Sequence, residues 1–380
     1  MFDKSEALFP VRRDHIDLAT CSIGPMYGPS AEAARDFITA QSERGMLLKE
    51  HFGEALDGFR ARVSKLLEVT PADIAYVSNT AEGIGLIANG YPFEPGDQIV
   101  TYEHEFPSNH FPWVLQRRRG VEVIEVPDDG VERGRPYRWT LEKLDDVVTD
   151  RTRVVALSHV QFASGFAAEL PELGSYCKDR GIDLVIDAAQ SLGALPIHPE
   201  EYGVSAIVSA GWKWMLASRG AGLLYAHADF REKVQITMAG DATMTHRLDY
   251  LNRTWEPDPG ARRFEYSTLP WEHLVAIETV VREVFLRYGM NAIRDELLRL
   301  QDLLISQLTN PRIRPVVFER QNRSGILACE TERSPSDIVE KLRIAGIVAT
   351  SQAGYLRIAP HFFVTDDDIC RVADQLNRLC

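Results

Sequence analysis

The segment from Ile182 to Tyr225 opens with the apolar run Ile182-Asp183-Leu184-Val185-Ile186, which leads directly into Asp187-Ala188-Ala189-Gln190. Further along come Ser209-Ala210-Gly211-Trp212-Lys213-Trp214 and Gly222-Leu223-Leu224-Tyr225. A short apolar run that ends on polar residues is typical of a buried strand. An apolar environment lowers the pKa of a lysine toward nucleophilic use. Taken alone, Lys213 is equally well interpreted as an exposed lysine beside a surface aromatic; the strand that ends on Asp187 favours a catalytic lysine.

Short apolar strands alternate with helical patterns on both sides of this segment. The strands are predicted at 74–78, 98–101, 121–126, 154–158, 206–209 and 223–225. Such alternation predicts an α/β fold with a large, mostly parallel sheet, in which ligands bind beyond the carboxyl ends of the strands. The residues that follow the ends of predicted strands include Thr80, Phe106, Gln161, Asp187 and Lys213. We therefore expect their side chains to converge at one edge of the sheet.

The C-terminal part of the chain predicts a smaller α+β domain. Helices are predicted at 270–288, 291–308, 336–344 and 366–379, with strands at 325–329 and 355–359. We predict an N-terminal segment over 1–30 that joins this small domain, a large domain over 31–268, and the small domain over 269–380. Residues 239–263 show little periodicity, and loops of that length are usually functional or form interfaces.

Composition excludes several classes of protein. The chain has 380 residues and a formal net charge of -13, without a block of Lys and Arg, which argues against nucleic-acid binding. No apolar run reaches the roughly 18 residues of a membrane-spanning helix, and the N-terminus lacks the features of a signal peptide. The five cysteines form no C-x-x-C pair, so neither a metal site nor a disulfide framework is indicated. No G-x-G-x-x-G follows a predicted strand, which argues against a Rossmann dehydrogenase. We predict a cytoplasmic enzyme.

Six motifs occur along the chain in this order: Asn79-Thr80-Ala81-Glu82, Glu105 to Trp113, Asp187-Ala188-Ala189-Gln190, Lys213, Arg263 to Thr268, and Tyr355-Leu356-Arg357. Together they make the chain resemble the class V aminotransferase family of fold-type I, pyridoxal-phosphate-dependent enzymes. This family includes cysteine desulfurases, kynureninase and isopenicillin-N-epimerase-like proteins. The resemblance extends from Ile16 to about Leu379.

The resemblance implies how the cofactor ring is held. Lys213 would form the Schiff base with pyridoxal 5'-phosphate and move the Cα proton of the substrate. Asp187 would pair with the ring nitrogen, and Gln190 would donate a hydrogen bond near the phenolic oxygen. Phe106 occupies the position of a ring-stacking residue, and Gln161 belongs to the cofactor-binding set as well.

The resemblance also implies how the phosphate and the substrate are held. Thr80, with the N–H groups of Ala81 and Glu82, would bind the phosphate at a helix N-terminus. Thr268 would reach the phosphate of the neighbouring subunit, which implies a homodimer with shared active sites. Arg357 would bind the α-carboxylate of an amino-acid substrate through both arms of its guanidinium.

The chain departs from the desulfurases in three places. Phe106 replaces their ring-stacking histidine, unless His104 or His110 turns inward instead. The segment 345–355 contains no cysteine, so the nucleophile that would accept a persulfide is missing. Ala210-Gly211 precede Trp212 where family members carry side-chain phosphate donors, so Ser209, Trp212 or the partner subunit must compensate.

These observations predict an enzyme that acts at the Cα of an L-amino acid, either as a C–S lyase by β-elimination or as an aminotransferase. Alternatives are an epimerase, in which His361 or Tyr355 would be the second base, and a kynureninase-like hydrolase. A cysteine desulfurase and a non-catalytic dimeric scaffold fit these residues less well.

Overall fold

The computed structural model describes residues 1–379, and Cys380 lies outside the description. Its strands are β1 Ile16–Asp17, β2 Ile74–Tyr76, β3 Gln98–Tyr102, β4 Glu122–Val126, β5 Thr152–Ser158, β6 Asp183–Asp187, β7 Ala206–Ala210, β8 Gly222–Ala226, β9 Ile313–Pro315, β10 Leu327–Thr331, β11 Ile347–Val348, β12 Thr350–Gln352 and β13 Tyr355–Ile358. Its helices are α1 Gly28–Arg44, α2 Glu50–Leu67, α3 Thr80–Gly90, α4 Pro107–Val114, α5 Leu141–Val147, α6 Leu170–Asp179, α7 Ala228–Lys233, α8 Trp271–Val280, α9 Leu286–Tyr288, α10 Met290–Gln307, α11 Pro335–Ile344 and α12 Asp366–Arg378. None of these helices is long and apolar enough to span a bilayer.

The centre of the described chain is a seven-stranded sheet in the order β2-β8-β7-β6-β5-β3-β4. The neighbours from β4 to β7 pair in parallel, whereas β8 is antiparallel to both β7 and β2. Every residue of β6, β7 and β8 is buried, which explains their continuous apolar sequences. The predicted α/β fold with a mostly parallel sheet is confirmed.

The register of the parallel strands brings the predicted site residues to one edge. Ser158, the last residue of β5, is paired with Asp187, the last residue of β6. The amide of His159 then donates to the carbonyl of Asp187 at 3.0 Å, which extends the pairing beyond the strands. The carboxyl ends of β5 and β6 are therefore level with each other, and the polar residues that follow them lie side by side.

A second, antiparallel sheet in the order β12-β13-β10-β9 lies in the C-terminal part of the chain. The N-terminal segment joins this part, because β1 pairs in parallel with β11 and Ala19 bridges to Ala359. Helix α8 packs against α1 and α2. The domain boundaries at residues 30 and 268 stay predictions.

Two elements differ from the sequence prediction. The helix predicted over 270–288 is interrupted by a π-helical turn, Val281–Phe285. The short strands β11 and β12 were not predicted in segment 345–355, and β12 forms a hairpin with β13, which the sequence does predict at 355–359. The turn of this hairpin is formed by Ala353 and Gly354, with φ angles of 49° and 82°. Strands of two or three residues are too short for an alternating pattern to reveal them.

Candidate active site

A cavity of about 250 Å³ opens at the carboxyl edge of the large sheet, where the strand-end residues meet. The predicted residues that line it are Thr80, Phe106, Asp187, Gln190, Trp212, Lys213 and Arg357. The lining residues that were not singled out from the sequence are Cys21, Ser22, Asn79, Ser108, Ser158, Val160, Phe162, Ala189, Ala210 and Gln352. The cavity therefore combines one acid, one amine, one guanidinium and several neutral donors.

Lys213 and Asp187 form the charged pair of this cavity. Burial lowers the pKa of Lys213, and the negative charge of Asp187 partly opposes that shift. Burial raises the pKa of Asp187, while the Ala189 amide and the charge of Lys213 favour its ionised form. Asp187 is 4% exposed, and its Oδ1 accepts the hydrogen bond from the Ala189 amide at 2.8 Å. Its second oxygen is left for a cationic or protonated group in the cavity.

The loop that carries Lys213 is held from the N-terminal segment. The amide of Gly24 donates to the carbonyl of Trp212 at 2.9 Å. A Cβ on residue 24 would lie 2.2 Å from the Lys213 carbonyl oxygen, so only glycine permits this approach. Leu216 has a φ of 53° and donates its amide to the Lys213 carbonyl at 3.1 Å. The backbone at Lys213 is thus fixed on both sides.

The N-terminus of α3 reaches the cavity through Asn79 and Thr80. Asn79 caps the helix by accepting the Glu82 amide at 2.9 Å, so this N–H is not free for a phosphate as the resemblance implied. The Glu82 carboxylate accepts the Ser78 amide and the Tyr266 hydroxyl. In the described chain, the donors left in the first turn are the amides of Thr80 and Ala81 and the hydroxyl of Thr80, although only Thr80 lines the cavity.

Aromatic rings lie near the amine of Lys213. The Nζ of Lys213 lies 5.2 Å from the centroid of the Phe106 ring. Phe106 meets Phe162 edge to face, with their centroids 5.3 Å apart. Among the described residues that line the cavity there is no histidine, so neither His104 nor His110 takes the stacking position.

Arg357 lies on β13 and lines the cavity. The side chain is buried, and its Nη1 donates to the carbonyl of Phe162 at 2.6 Å. Its Nε is buried and has no hydrogen-bond partner among the described residues. A guanidinium with unsatisfied donors at a cavity is suited to a carboxylate ligand.

Several predicted residues do not line the cavity. Gln161 is 3% exposed and donates to Glu105 at 3.1 Å. The hydroxyl of Ser209 is buried and lies within hydrogen-bonding distance of the Ala188 and Ala210 carbonyls. Thr268 is exposed on the segment before α8. Ser209 and Ala210 are adjacent in β7, so their side chains point to opposite faces, and Ala210 is the one that faces the cavity.

The two candidate second bases, His361 and Tyr355, are fully buried away from the cavity. His361 uses both ring nitrogens, at the Trp214 carbonyl and at the Phe362 amide. The hydroxyl of Tyr355 is buried and has no partner in the described chain. Neither side chain lines the cavity, so neither is placed to act on a substrate.

Three residues that line the cavity could not be recognised from any local sequence pattern. They are Cys21, Ser22 and Gln352. Cys21 lies 3.7 Å from the Thr350 hydroxyl, between the N-terminal segment and β12. Gln352 ends β12, at the turn of the hairpin. The pairing of β1 with β11 and the bridge between Ala19 and Ala359 bring these distant segments together, and no local pattern encodes those contacts.

Glu105 is a buried carboxyl group behind the cavity. It accepts hydrogen bonds from the Ser158 amide at 2.7 Å, from the Ser158 hydroxyl and from Gln161. Burial raises its pKa from an ordinary 4.5 to about 7, and these hydrogen bonds oppose the shift. The native state therefore binds the Glu105 proton more tightly than the unfolded chain does.

This shift predicts that Glu105 makes the protein less stable as pH rises from about 4.5 to about 7. Glu105→Gln keeps the shape of the side chain and removes the titration. The stability of the wild type relative to the variant is expected to fall by about 3 kcal/mol between pH 4.5 and pH 8. Urea unfolding of both proteins at several pH values measures the difference, with Glu122→Gln on the exposed face of β4 as the control. A pH-independent difference would show that Glu105 has the same pKa in the native and in the unfolded chain, and would refute the shift.

The donor set fits pyridoxal phosphate. The helix N-terminus at Thr80 suits a phosphate dianion. The free oxygen of Asp187 suits a protonated ring nitrogen, and the amine of Lys213, shifted toward its neutral form, suits a carbonyl carbon. These groups surround one cavity in the described chain, and Arg357 is left for a substrate carboxylate.

Comparison with known proteins yields matches along almost the whole chain. Residues 32–360 match the family model described as aminotransferase class-V. A probable cysteine desulfurase of Methanothermobacter thermautotrophicus is 26% identical, and the match covers 97% of this chain and 96% of that protein. The uncharacterized aminotransferase YcbU of Bacillus subtilis is 22% identical, with 97% and 95% covered.

Solved structures show the same fold. A mutant of C-DES with glycine covalently linked to its PLP cofactor superposes with a TM-score of 0.90 at 19% identity, covering 98% of this chain and 99% of that one. C-DES in complex with its reaction product cysteine persulfide, described as a cystine C-S lyase, gives 0.89 at 19% identity, with 97% and 99% covered. The apo cysteine desulfurase of Thermococcus onnurineus NA1 gives 0.87 at 21% identity, with 97% and 96% covered.

Proposed function

We propose that this chain, which belongs to the class V aminotransferase family, is a C–S lyase that cleaves a cysteine-derived L-amino acid by β-elimination. Members of this family are pyridoxal-phosphate-dependent enzymes, and the chain is one of them. The proposal concerns the bond that breaks and the products that form.

When bound, the cofactor supplies an electron sink that stabilises negative charge at the Cα of an amino acid. Asp187 holds the proton of the ring nitrogen, which maintains this capacity. Arg357 binds the α-carboxylate and so orients the Cα–H bond. Lys213, whose pKa is lowered by burial, takes the Cα proton at Nζ and returns a proton to the leaving sulfur. Overall, R–S–CH₂–CH(NH₃⁺)–COO⁻ and water give R–SH, pyruvate and ammonium.

The observation that carries the proposal is the short β12–β13 hairpin. A desulfurase needs a thiol on this segment to attack the substrate sulfur, and here Gln352, a carboxamide without nucleophilic sulfur, lines the cavity instead. Elimination needs no such nucleophile, because the Cα proton and the thiolate are lost from the substrate itself. C-DES, a cystine C-S lyase with the same fold, gives the proposal further support.

Product analysis tests the proposal. Purified protein with pyridoxal phosphate is incubated with L-cystine, L-cysteine and an S-alkyl cysteine, and the carbon product is identified. We expect pyruvate and ammonia in equal amounts. L-Alanine would indicate a desulfurase and would refute elimination. A keto acid that retains sulfur, formed only when an acceptor keto acid is added, would indicate an aminotransferase.

Cys21 provides the matched control, because its thiol also lines the cavity. Cys21→Ser is expected to release pyruvate at a rate close to that of the wild type. If the wild type forms alanine and the variant forms none, Cys21 is the persulfide-accepting thiol and the lyase proposal is wrong.

We also propose a homodimer with shared active sites. Thr268 is exposed, and the preceding segment 239–263 exposes several large apolar side chains, which is typical of an interface. These side chains are Leu248, Tyr250, Leu251 and Trp255. Sedimentation equilibrium should give twice the 42.7 kDa chain mass; a monomer with full activity would contradict this.

The unpaired cysteines in the described chain fit a cytoplasmic location, which cell fractionation can check.

A further inference from the structure

We propose that Trp214 is a positioning residue, which holds the carboxamide of Gln190 in the one orientation that aims its NH₂ group into the active-site cavity. The inference rests on the proposed function, because the acceptor in the cavity would be an oxygen of the cofactor. It concerns a side chain that does not itself line the cavity.

The direction of the hydrogen bond identifies the atoms of Gln190. The indole Nε1 of Trp214 lies 2.9 Å from Gln190 Oε1. An indole N–H can only donate, so the atom it meets must be the carbonyl oxygen of the amide. A rotation of the Gln190 amide by 180° would place an NH₂ group against the indole N–H, with two donors facing each other in a buried site.

The NH₂ group of Gln190 then has one hydrogen committed and one left. Its Nε2 donates to the carbonyl of Cys21 at 2.8 Å. Gln190 lines the cavity and is only 6% exposed, so the remaining hydrogen has few directions open to it. The side chain thus presents a donor, and not an acceptor, to any ligand in the cavity.

Trp214 is itself fixed on two sides. Its ring is fully buried, and a Cβ on Gly325 would lie 2.2 Å from the ring. Its carbonyl lies 3.0 Å from His361 Nε2, while the Phe362 amide donates to His361 Nδ1 at 2.8 Å. Because the Trp214 carbonyl accepts and the Phe362 amide donates, His361 is the neutral tautomer with its proton on Nε2. The backbone of Trp214 is thus held by His361, and its ring is held by packing against Gly325.

A fixed donor at Gln190 favours a negatively charged oxygen on the ligand over a protonated one. Without the Trp214 hydrogen bond, the amide could present its own oxygen and repel that charge. The expected result is weaker cofactor binding and a cofactor chromophore that loses its proton at higher pH.

The test compares Trp214→Phe with Trp113→Phe. Trp113 is a matched control: it is fully buried, its Nε1 donates to the Asn109 carboxamide at 3.1 Å, and neither residue lines the cavity. Trp214→Phe is expected to weaken pyridoxal phosphate binding roughly threefold to tenfold. The pH midpoint of the visible absorbance of the bound cofactor should rise by about 0.5 to 1. Trp113→Phe should change neither.

The outcomes separate this inference from the proposed function. If Trp214→Phe keeps the wild-type affinity and midpoint, or if Trp113→Phe shifts them equally, Trp214 does not orient Gln190. Failure of the wild type to bind the cofactor would instead remove the proposed function. If Trp214→Phe does not fold, the hydrogen exchange rate of the Trp214 indole proton is measured in the cofactor-free wild type. Slow exchange supports the hydrogen bond to Gln190. Exchange as fast as that of an exposed tryptophan overturns it.

Discussion

Lys213→Ala should lose nearly all turnover, by roughly 10²- to 10⁴-fold in kcat. Lys213 is the amine of the cavity, and burial lowers its pKa, so this group is suited to remove the Cα proton. Its loss removes the base and leaves Arg357 and the phosphate end of the site in place. The affinity for the amino acid should therefore change much less than kcat does.

Steady-state kinetics with the substrate identified by product analysis measure the effect. Borohydride should fix the cofactor to the wild type, on the peptide that contains Lys213, and should fix none to the variant. Lys65→Ala, an exposed lysine on α2, is the control and should behave as the wild type in both assays. Retention of kcat in Lys213→Ala would show that another group removes the proton.

Arg357→Leu should raise KM by about 10- to 100-fold, since a charge-assisted hydrogen bond contributes about 1.5–3 kcal/mol. The Arg357 guanidinium has one arm on the Phe162 carbonyl and an unpartnered Nε, so a substrate carboxylate can complete its hydrogen bonding. Arg357→Lys keeps the charge but loses the planar fork, and its KM should be intermediate.

A more specific measurement compares the KM of each protein for the amino-acid substrate with its KM for the methyl ester of that amino acid. The wild type should prefer the free acid, and Arg357→Leu should lose most of that preference. Arg314→Leu, an exposed arginine on β9 of the same sheet, should leave the preference unchanged. If Arg357→Leu lowers kcat and keeps the preference, Arg357 acts on the structure of the site and not on the carboxylate.

The sequence predicts the strand-end residues of this site well, for a physical reason. Parallel strands buried on both faces are continuous apolar runs, so the position at which Asp187 leaves its strand is visible in the sequence. The same holds for Phe106, which follows the parallel strand β3, whereas Thr80 follows β2, a buried edge strand that pairs antiparallel with β8.

The remaining lining residues depend on contacts between distant segments. Cys21 and Ser22 reach the cavity because β1 pairs with β11, and each of these strands has only two residues. The position of Gln352 depends on a turn with two positive φ angles, one of which belongs to Ala353, a residue type that rarely adopts it. Ser209 was assigned to the cofactor from its place before Lys213, and the alternation of β7 turns it away.

The contacts of the N-terminal segment affect the order in which the protein folds during translation. The residues that hold the lysine loop, from Ile16 to Gly24, are translated before the large sheet, whereas their anchors on β11 and at Ala359 are translated after it. While the chain is still attached to the ribosome, the large sheet can form without its catalytic loop being secured. The loop that carries Lys213 is therefore fully secured only after the segment from β11 to Ala359 has been synthesised and has paired with the N-terminal segment.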